Sequence, residues 1–108
     1  MKLYIGGACQ GQEELARREN PGAQMLPQFH MTIRALLEAG EDISDFVQNL
    51  CETMPDCIII SDEIGSGIVP IDPLDRSWRE AVGRALCMIA GHSETVTRVI
   101  CGIGVRIK

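Results

Sequence analysis

The sequence predicts an α/β domain built on a mainly parallel sheet flanked by helices, and three observations predict it. Apolar strand candidates and helical stretches follow in the order strand, helix, helix, buried strand, helix, strand. The run Cys57-Ile58-Ile59-Ile60 is apolar at successive positions, the pattern of a strand covered by helices on both faces. Helices between strands act as crossovers, which makes neighbouring strands parallel. Two strand candidates at the end, parted by a glycine, add a possible antiparallel C-terminal edge.

The first strand is read at residues 2–5 and runs into Gly6-Gly7-Ala8-Cys9-Gln10-Gly11. A helix follows over residues 12–18, rich in good helix formers and acidic at its start, and Asn20-Pro21-Gly22 ends it. The next helix is placed at residues 31–39, with Gly40 as its stop. Asp42 can cap another, in which Ile43, Phe46, Val47, Leu50 and Met54 recur at helical spacing. Pro55-Asp56 closes it. After the buried strand, residues 61–73 read as a loop, and Asp72-Pro73 marks the start of a helix. That helix turns Leu74, Trp78, Ala81, Val82, Ala85 and Ile89 towards a core and stops at Gly91. Residues 96–101 and 103–107 are the closing strands.

A chain of 108 residues suffices for one domain, residues 1–108, and not for two. Ten Lys and Arg against fifteen Asp and Glu leave a formal charge of −5 with no basic tract, which speaks against a nucleic-acid surface. No apolar run reaches the length of a membrane span, and the early glycines interrupt any signal-peptide core. The expectation is a soluble cytoplasmic protein. Five cysteines without a C-x-x-C pair, and two isolated histidines, His30 and His92, do not make a zinc site. The cysteines read as reduced thiols packed as small hydrophobes. Asp62 and Glu63 point to opposite sides of an extended chain, so they read as solvated or capping groups rather than an acid–base pair. Arg76, Arg79 and Arg84 read as a solvated face laced with ion pairs. Trp78 reads as core or interface, and His92 as a surface group complementing a helix end.

The glycine turn after the first strand carries the functional lead. Gly6 and Gly11 stand five apart between a strand and a helix, as in the phosphate-cradling G-x-x-x-x-G-K-[ST] loop. Such a loop works because backbone N–H groups converge on a phosphate at a helix N-terminus. The lysine and hydroxyl positions are Gln12 and Glu13 here, so the spacing survives without its charges. A unit charge about 4 Å away is worth roughly 4 kcal/mol at an effective dielectric of 20. Losing a cation and gaining an anion therefore puts several powers of ten in triphosphate affinity at stake. Glu13 and Glu14 can satisfy the helix N-terminus themselves and plug the cradle. A second candidate segment, Glu63-Ile64-Gly65-Ser66-Gly67, follows the buried strand, where α/β ligands collect beyond carboxyl ends. A loop packed against a neighbouring subunit is the equal alternative.

The chain resembles the adenosylcobinamide kinase / adenosylcobinamide-phosphate guanylyltransferase family of cobalamin biosynthesis. The likeness rests on the run from Ile60-Ser61-Asp62-Glu63-Ile64-Gly65-Ser66-Gly67-Ile68-Val69-Pro70 through Arg76, Trp78-Arg79-Glu80 and Gly83-Arg84. It continues to Gly102-Ile103-Gly104-Val105-Arg106-Ile107-Lys108, with Gly6-Gly7-Ala8 matching the opening of the family's phosphate loop. It covers roughly residues 1–20 and 57–108. The resemblance implies a P-loop fold with a RecA-like core, a nucleoside triphosphate donor and a corrinoid acceptor. Family members are longer, and the stretch carrying their guanylyl-accepting histidine has no counterpart, so that role does not pass to His30. The family's magnesium-suited acid falls at about Pro27, and its Asn-Gln pair is Leu86-Cys87. Lysine, hydroxyl, acid and histidine depart together.

The resulting expectation is a shortened, degenerate member without kinase or guanylyltransferase activity, serving as a binding or assembly module. No catalytic or metal-binding residue is assigned. Gly6, Gly7, Gly11, Gln12, Glu13, Glu63, Gly65 and Gly67 are the candidate ligand-binding residues, for weakly held ATP or GTP or a corrinoid. The alternative is an enzyme that still transfers a phosphoryl or nucleotidyl group, with Glu63 or Glu13 on magnesium and an arginine on phosphate. A third reading is a structural subunit, a dimer or trimer joined through exposed parts of the shortened sheet.

Overall fold

The computed structural model describes residues 1–65 and 70–108, so the candidate Gly67 lies outside the described residues. Among the described residues nine elements follow in order: β1 (Lys2–Gly6), α1 (Gln12–Glu19), β2 (Met25–Leu26), α2 (Phe29–Glu38), α3 (Ile43–Thr53), β3 (Ile58–Asp62), α4 (Pro73–His92), β4 (Thr95–Ile100) and β5 (Ile103–Arg106). They build one five-stranded sheet in the order β2-β3-β1-β4-β5. β1 pairs in parallel with β3 and β4, β2 pairs in parallel with β3, and β5 runs antiparallel to β4. The α/β class, the mainly parallel sheet and the antiparallel edge are all present.

Alternation along the strands sorts their side chains onto two faces. Leu3, Ile59 and Val96 pack with Phe29, Ile33, Val47, Leu50, Val82, Ala85 and Ile89 from α2, α3 and α4. Tyr4, Ile58, Ile60 and Val99 face the other way and pack with Leu15 and Ala16 of α1. β3 is therefore covered on both sides, as its unbroken apolar run required.

Several boundaries depart from the sequence reading. β3 continues through Ser61 and Asp62 because they pair with Ile5 and Gly6. α2 begins at Phe29, where Phe29 and His30 are already buried, and α4 runs past Gly91 to His92. Leu74 is exposed, since the first turn of α4 projects beyond the core that Val82, Ala85 and Ile89 enter. The two aspartate caps hold: the side chain of Asp42 accepts from the Asp45 N–H at 3.1 Å, and that of Asp72 from the Leu74 N–H at 2.8 Å. Gly40, at φ 72°, takes the left-handed position after α2. His92 is exposed and lies 3.0 Å from the Met88 carbonyl. The cation that serves the end of α4 is Lys108, whose Nζ donates to the Ala90 carbonyl at 2.7 Å. Of the arginines of α4, Arg84 pairs with Glu80, and Arg76 donates to the carbonyls of Pro70 and Ile71.

Of the five cysteines, Cys51 and Cys57 are buried, whereas Cys9, Cys87 and Cys101 are exposed. Burial pushes the Cys51 and Cys57 thiols up from the ordinary value of about 9. Burial, then the hydrogen bond to Glu19, pushes the Tyr4 phenol up from about 10. A raised pKa means that the folded state keeps its proton longer than the unfolded state. The associated stability is complete below the ordinary values and is lost as pH rises through the folded ones. Thermal melts are therefore expected to drop in midpoint as pH rises above about 9. Replacing both Cys51 and Cys57 with alanine should flatten the first part of that drop; an unchanged alkaline slope would contradict the assignment.

Candidate functional site

Four strands deliver their carboxyl ends to one edge of the molecule, and the chain changes winding direction at β1, between β3 and β4. In such sheets the crevice beyond that point is where ligands bind. The two flanking glycines of the loop after β1 serve different ends. A β carbon on Gly6 would lie 2.5 Å from the Val99 carbonyl oxygen, so β1 and β4 can pair this closely only because it is absent. Gly11 caps α1 at φ 87°, in the left-handed region that favours glycine. Positive φ is thus required at Gly11, and close approach at Gly6.

The loop is held from both sides. Gln10 accepts with its side-chain oxygen from the Cys101 N–H (2.8 Å) and with its carbonyl from the Gly102 N–H (2.7 Å). On the other flank the Glu63 N–H donates to the Gly6 carbonyl at 2.7 Å. The buried Gln12 fills the interior, its Nε2 donating to the carbonyls of Gly6 (3.3 Å) and Gly7 (3.0 Å) and to Asp62 Oδ1 (2.9 Å). All three partners are acceptors, which fixes the amide orientation.

Asp62 is the junction of this network. Its N–H donates to Nδ1 of the buried His30 at 3.1 Å, so neutral His30 carries its proton on Nε2, 3.6 Å from Asp62 Oδ2. The His30 carbonyl accepts from Trp78 Nε1 at 2.7 Å, and the Arg34 guanidinium lies 4.9 Å from the centre of the Trp78 ring. Trp78 thus fastens α4 to the start of α2 at the foot of the site. A polar chain runs from α2 through β3 into the glycine loop.

Around it opens a cleft of about 740 Å³, whose lining includes Gly11, Gln12, Glu13, Glu14, His30 and Asp62. Among its described lining residues, three (Glu13, Glu14 and Asp62) are carboxylates and none is Lys or Arg. The expected plugging by Glu13 does not occur. Glu13 turns outward to Arg17 at 3.5 Å, one helical turn on, and α1 has no side-chain cap; Gln12 enters the loop instead. Among the described residues no group of three His, Cys, Asp or Glu is placed to hold a metal ion.

Of the candidate residues, Gly6, Gly7, Gly11, Gln12 and Glu13 are brought together here. Glu63 touches this loop through its backbone, while Gly65 lies apart, its carbonyl accepting from Arg79. Asp62 and His30 are the site residues that sequence reasoning passed over. Asp62 closes a buried strand, a position that the carboxyl-end rule points to. His30 adjoins Phe29 on the buried face of α2 and shows no local signal of its own.

A profile of the cobinamide kinase / cobinamide phosphate guanyltransferase family matches residues 5–107. The bifunctional adenosylcobalamin biosynthesis protein CobU of Salmonella typhimurium is 36% identical over 70 residues, which are 61% of this chain and 39% of that protein. Its Escherichia coli namesake is 37% identical over 59 residues, 54% of this chain and 33% of that protein. The matched stretch thus spans only about two-fifths or less of each relative's length. With the profile match running almost from end to end and the glycine loop where such a fold puts it, the chain belongs to the cobinamide kinase / cobinamide phosphate guanyltransferase family.

Proposed function

We propose that this protein is a degenerate homologue of the adenosylcobinamide kinase and guanylyltransferase enzymes, without either activity, acting as a binding or assembly module. The observation that carries the reading is Gln12. A neutral amide occupies the lysine position of the loop, and its hydrogens are spent on Gly6, Gly7 and Asp62. A magnesium triphosphate entering the cleft would meet the carboxylates of Glu13, Glu14 and Asp62 with no Lys or Arg among the described lining residues to offset them. Its cost there is Coulombic and of the order that decides binding. A weakly charged or neutral ligand, such as part of a corrinoid, fits the lining better than ATP or GTP.

The test is incubation of the protein with ATP or GTP, magnesium and adenosylcobinamide. No phosphorylated or guanylylated corrinoid is expected above the protein-free control, and catalytic turnover would overturn the proposal. One observation favours the second reading, a transferase that uses replacement residues: His30 and Asp62 meet in the same cleft. Under that reading Asp62→Asn abolishes a turnover that the wild type shows.

A further inference from the structure

α1 has eight residues, about 12 Å of helix, against the roughly 16 Å of a five-residue strand. It ends at Glu19, and the sheet face next to its last turn is polar. Alternation and register place Lys2, Tyr4, Thr95, Thr97 and Arg106 on that one face: Lys2 pairs with Thr95, Tyr4 with Thr97, and Thr97 with Arg106. With Glu19 and Asn20 they line a groove of about 390 Å³. The groove lies at the amino ends of β1 and β4, the opposite end of the sheet from the glycine loop.

Its side chains are positioned by one another but their charges are not cancelled. Tyr4 Oη donates to Glu19 Oε1 (2.7 Å) and accepts from Asn20 Nδ2 (2.9 Å), and Asn20 Oδ1 accepts from Lys2 Nζ (3.0 Å). That bond uses one of the three ammonium hydrogens and fixes where the Lys2 charge stands. Arg106 spends only Nε, on the Lys108 carbonyl at 3.3 Å, which leaves its two terminal nitrogens free to donate. Among the described residues neither cation forms an ion pair. Thr95 and Thr97 likewise make no side-chain hydrogen bond there. Thr97 is only 5% exposed, yet no enclosed polar side-chain atom among the described residues lacks a partner, so its hydroxyl opens into the groove.

We propose that this groove is a second ligand site, which takes the phosphoryl group of a small phosphate monoester. Two cations match the near-dianionic charge of such a group at neutral pH. Arg106 offers its terminal N–H groups to two of the oxygens, and the threonine hydroxyls donate to the others. Among the described lining residues Lys2 and Arg106 stand against the single carboxylate of Glu19, which is turned to the Tyr4 hydroxyl. The cleft has the reverse balance, three carboxylates and no Lys or Arg among its described lining residues. In a chain of net charge −5, the groove is thus where an anion meets an attractive field. Its volume leaves room beside the phosphoryl group for the organic part of an ester. The inference goes beyond the cleft reading and holds whether or not the cleft has a guest.

Amide chemical-shift mapping by NMR tests this, with the 108-residue chain titrated separately with inorganic phosphate and ribose 5-phosphate. Each is taken to roughly ten millimolar at constant ionic strength, with sodium chloride as the reference. Saturable shifts centred on Lys2, Thr95, Thr97 and Arg106 are expected with both, and tighter binding of the ester. Arg106→Gln should weaken binding by on the order of tenfold; Arg106 is exposed, so the melting midpoint should stay where it is. Glu19→Gln keeps an acceptor for Tyr4 while removing the opposing charge, and should tighten binding by roughly threefold, a gain that a damaged fold does not produce. Equal affinity for the two probes would overturn the assignment to an ester and make the free ion the occupant. Shifts confined to residues 7–13 would put the anion in the cleft and overturn the proposal. So would titrations that never saturate, or a folded Arg106→Gln that binds like the wild type.

Discussion

Gly6→Ala is expected to cost about 3 kcal/mol, the upper part of the range for forcing atoms into a packed interior, and to lower the melting midpoint by roughly 15 °C. The added carbon would sit 2.5 Å from the Val99 carbonyl oxygen. That oxygen belongs to backbone, so no side-chain rotation can relieve the contact. Relief requires β1 to withdraw from β4 at the register Gly6–Val99, in the centre of the sheet. The displaced strand would also carry the Gly6 and Gly7 carbonyls away from Gln12. Gly83→Ala is the matched control: it lies within α4 with nothing within 4 Å of the added carbon, and should stabilise by about 0.5–1 kcal/mol through helix propensity. Denaturant midpoints of the two variants settle the comparison. Equal effects would mean that strand proximity is not what position 6 enforces.

Gln12→Lys is expected to tighten binding of magnesium ATP or GTP by about a hundredfold, equivalent to roughly 2.7 kcal/mol. A lysine at this site can reach the same carbonyls and Asp62 while adding a positive charge that the described lining residues lack. The full Coulombic gain, about 4 kcal/mol at 4 Å and an effective dielectric of 20, is reduced because Asp62 competes for the new cation. Asp62→Asn alone removes one of the three cleft carboxylates and should tighten binding by on the order of tenfold, and combined with Gln12→Lys it should tighten binding further. Calorimetric titration of all four proteins separates the contributions. If Gln12→Lys binds no better than the wild type, the glycine loop is not a phosphate cradle.

Local chemistry explains what could be read in advance. The Asp42 and Asp72-Pro73 helix starts are written within three residues, as is the all-apolar run of β3, and each appears where expected. β2 has only two residues, too few to show a period, and α2 starts from Gln28 at φ 56° with no side-chain cap. Neither carries a local signature. The same limit applies to the site. Gly6 and Gly11 announce a strand-to-helix turn by spacing alone, but the contacts that define its interior join residues far apart in the chain. Gln12 reaches Asp62 across 50 positions, and His30 reaches it across 32. Gln12 after Gly11 is legible in the sequence; that its amide joins Gly6, Gly7 and Asp62 is visible only in the fold.

The two hydrogen bonds that Gln10 accepts from Cys101 and Gly102 bear on how the cleft can select what enters it. They fasten the glycine loop to a hairpin whose own shape is set by backbone twist, so the loop is tied at two points before anything arrives. Entry then demands little entropy of ordering from the protein. Discrimination between guests then falls to the side chains on the rim, Glu13 and Glu14 among them.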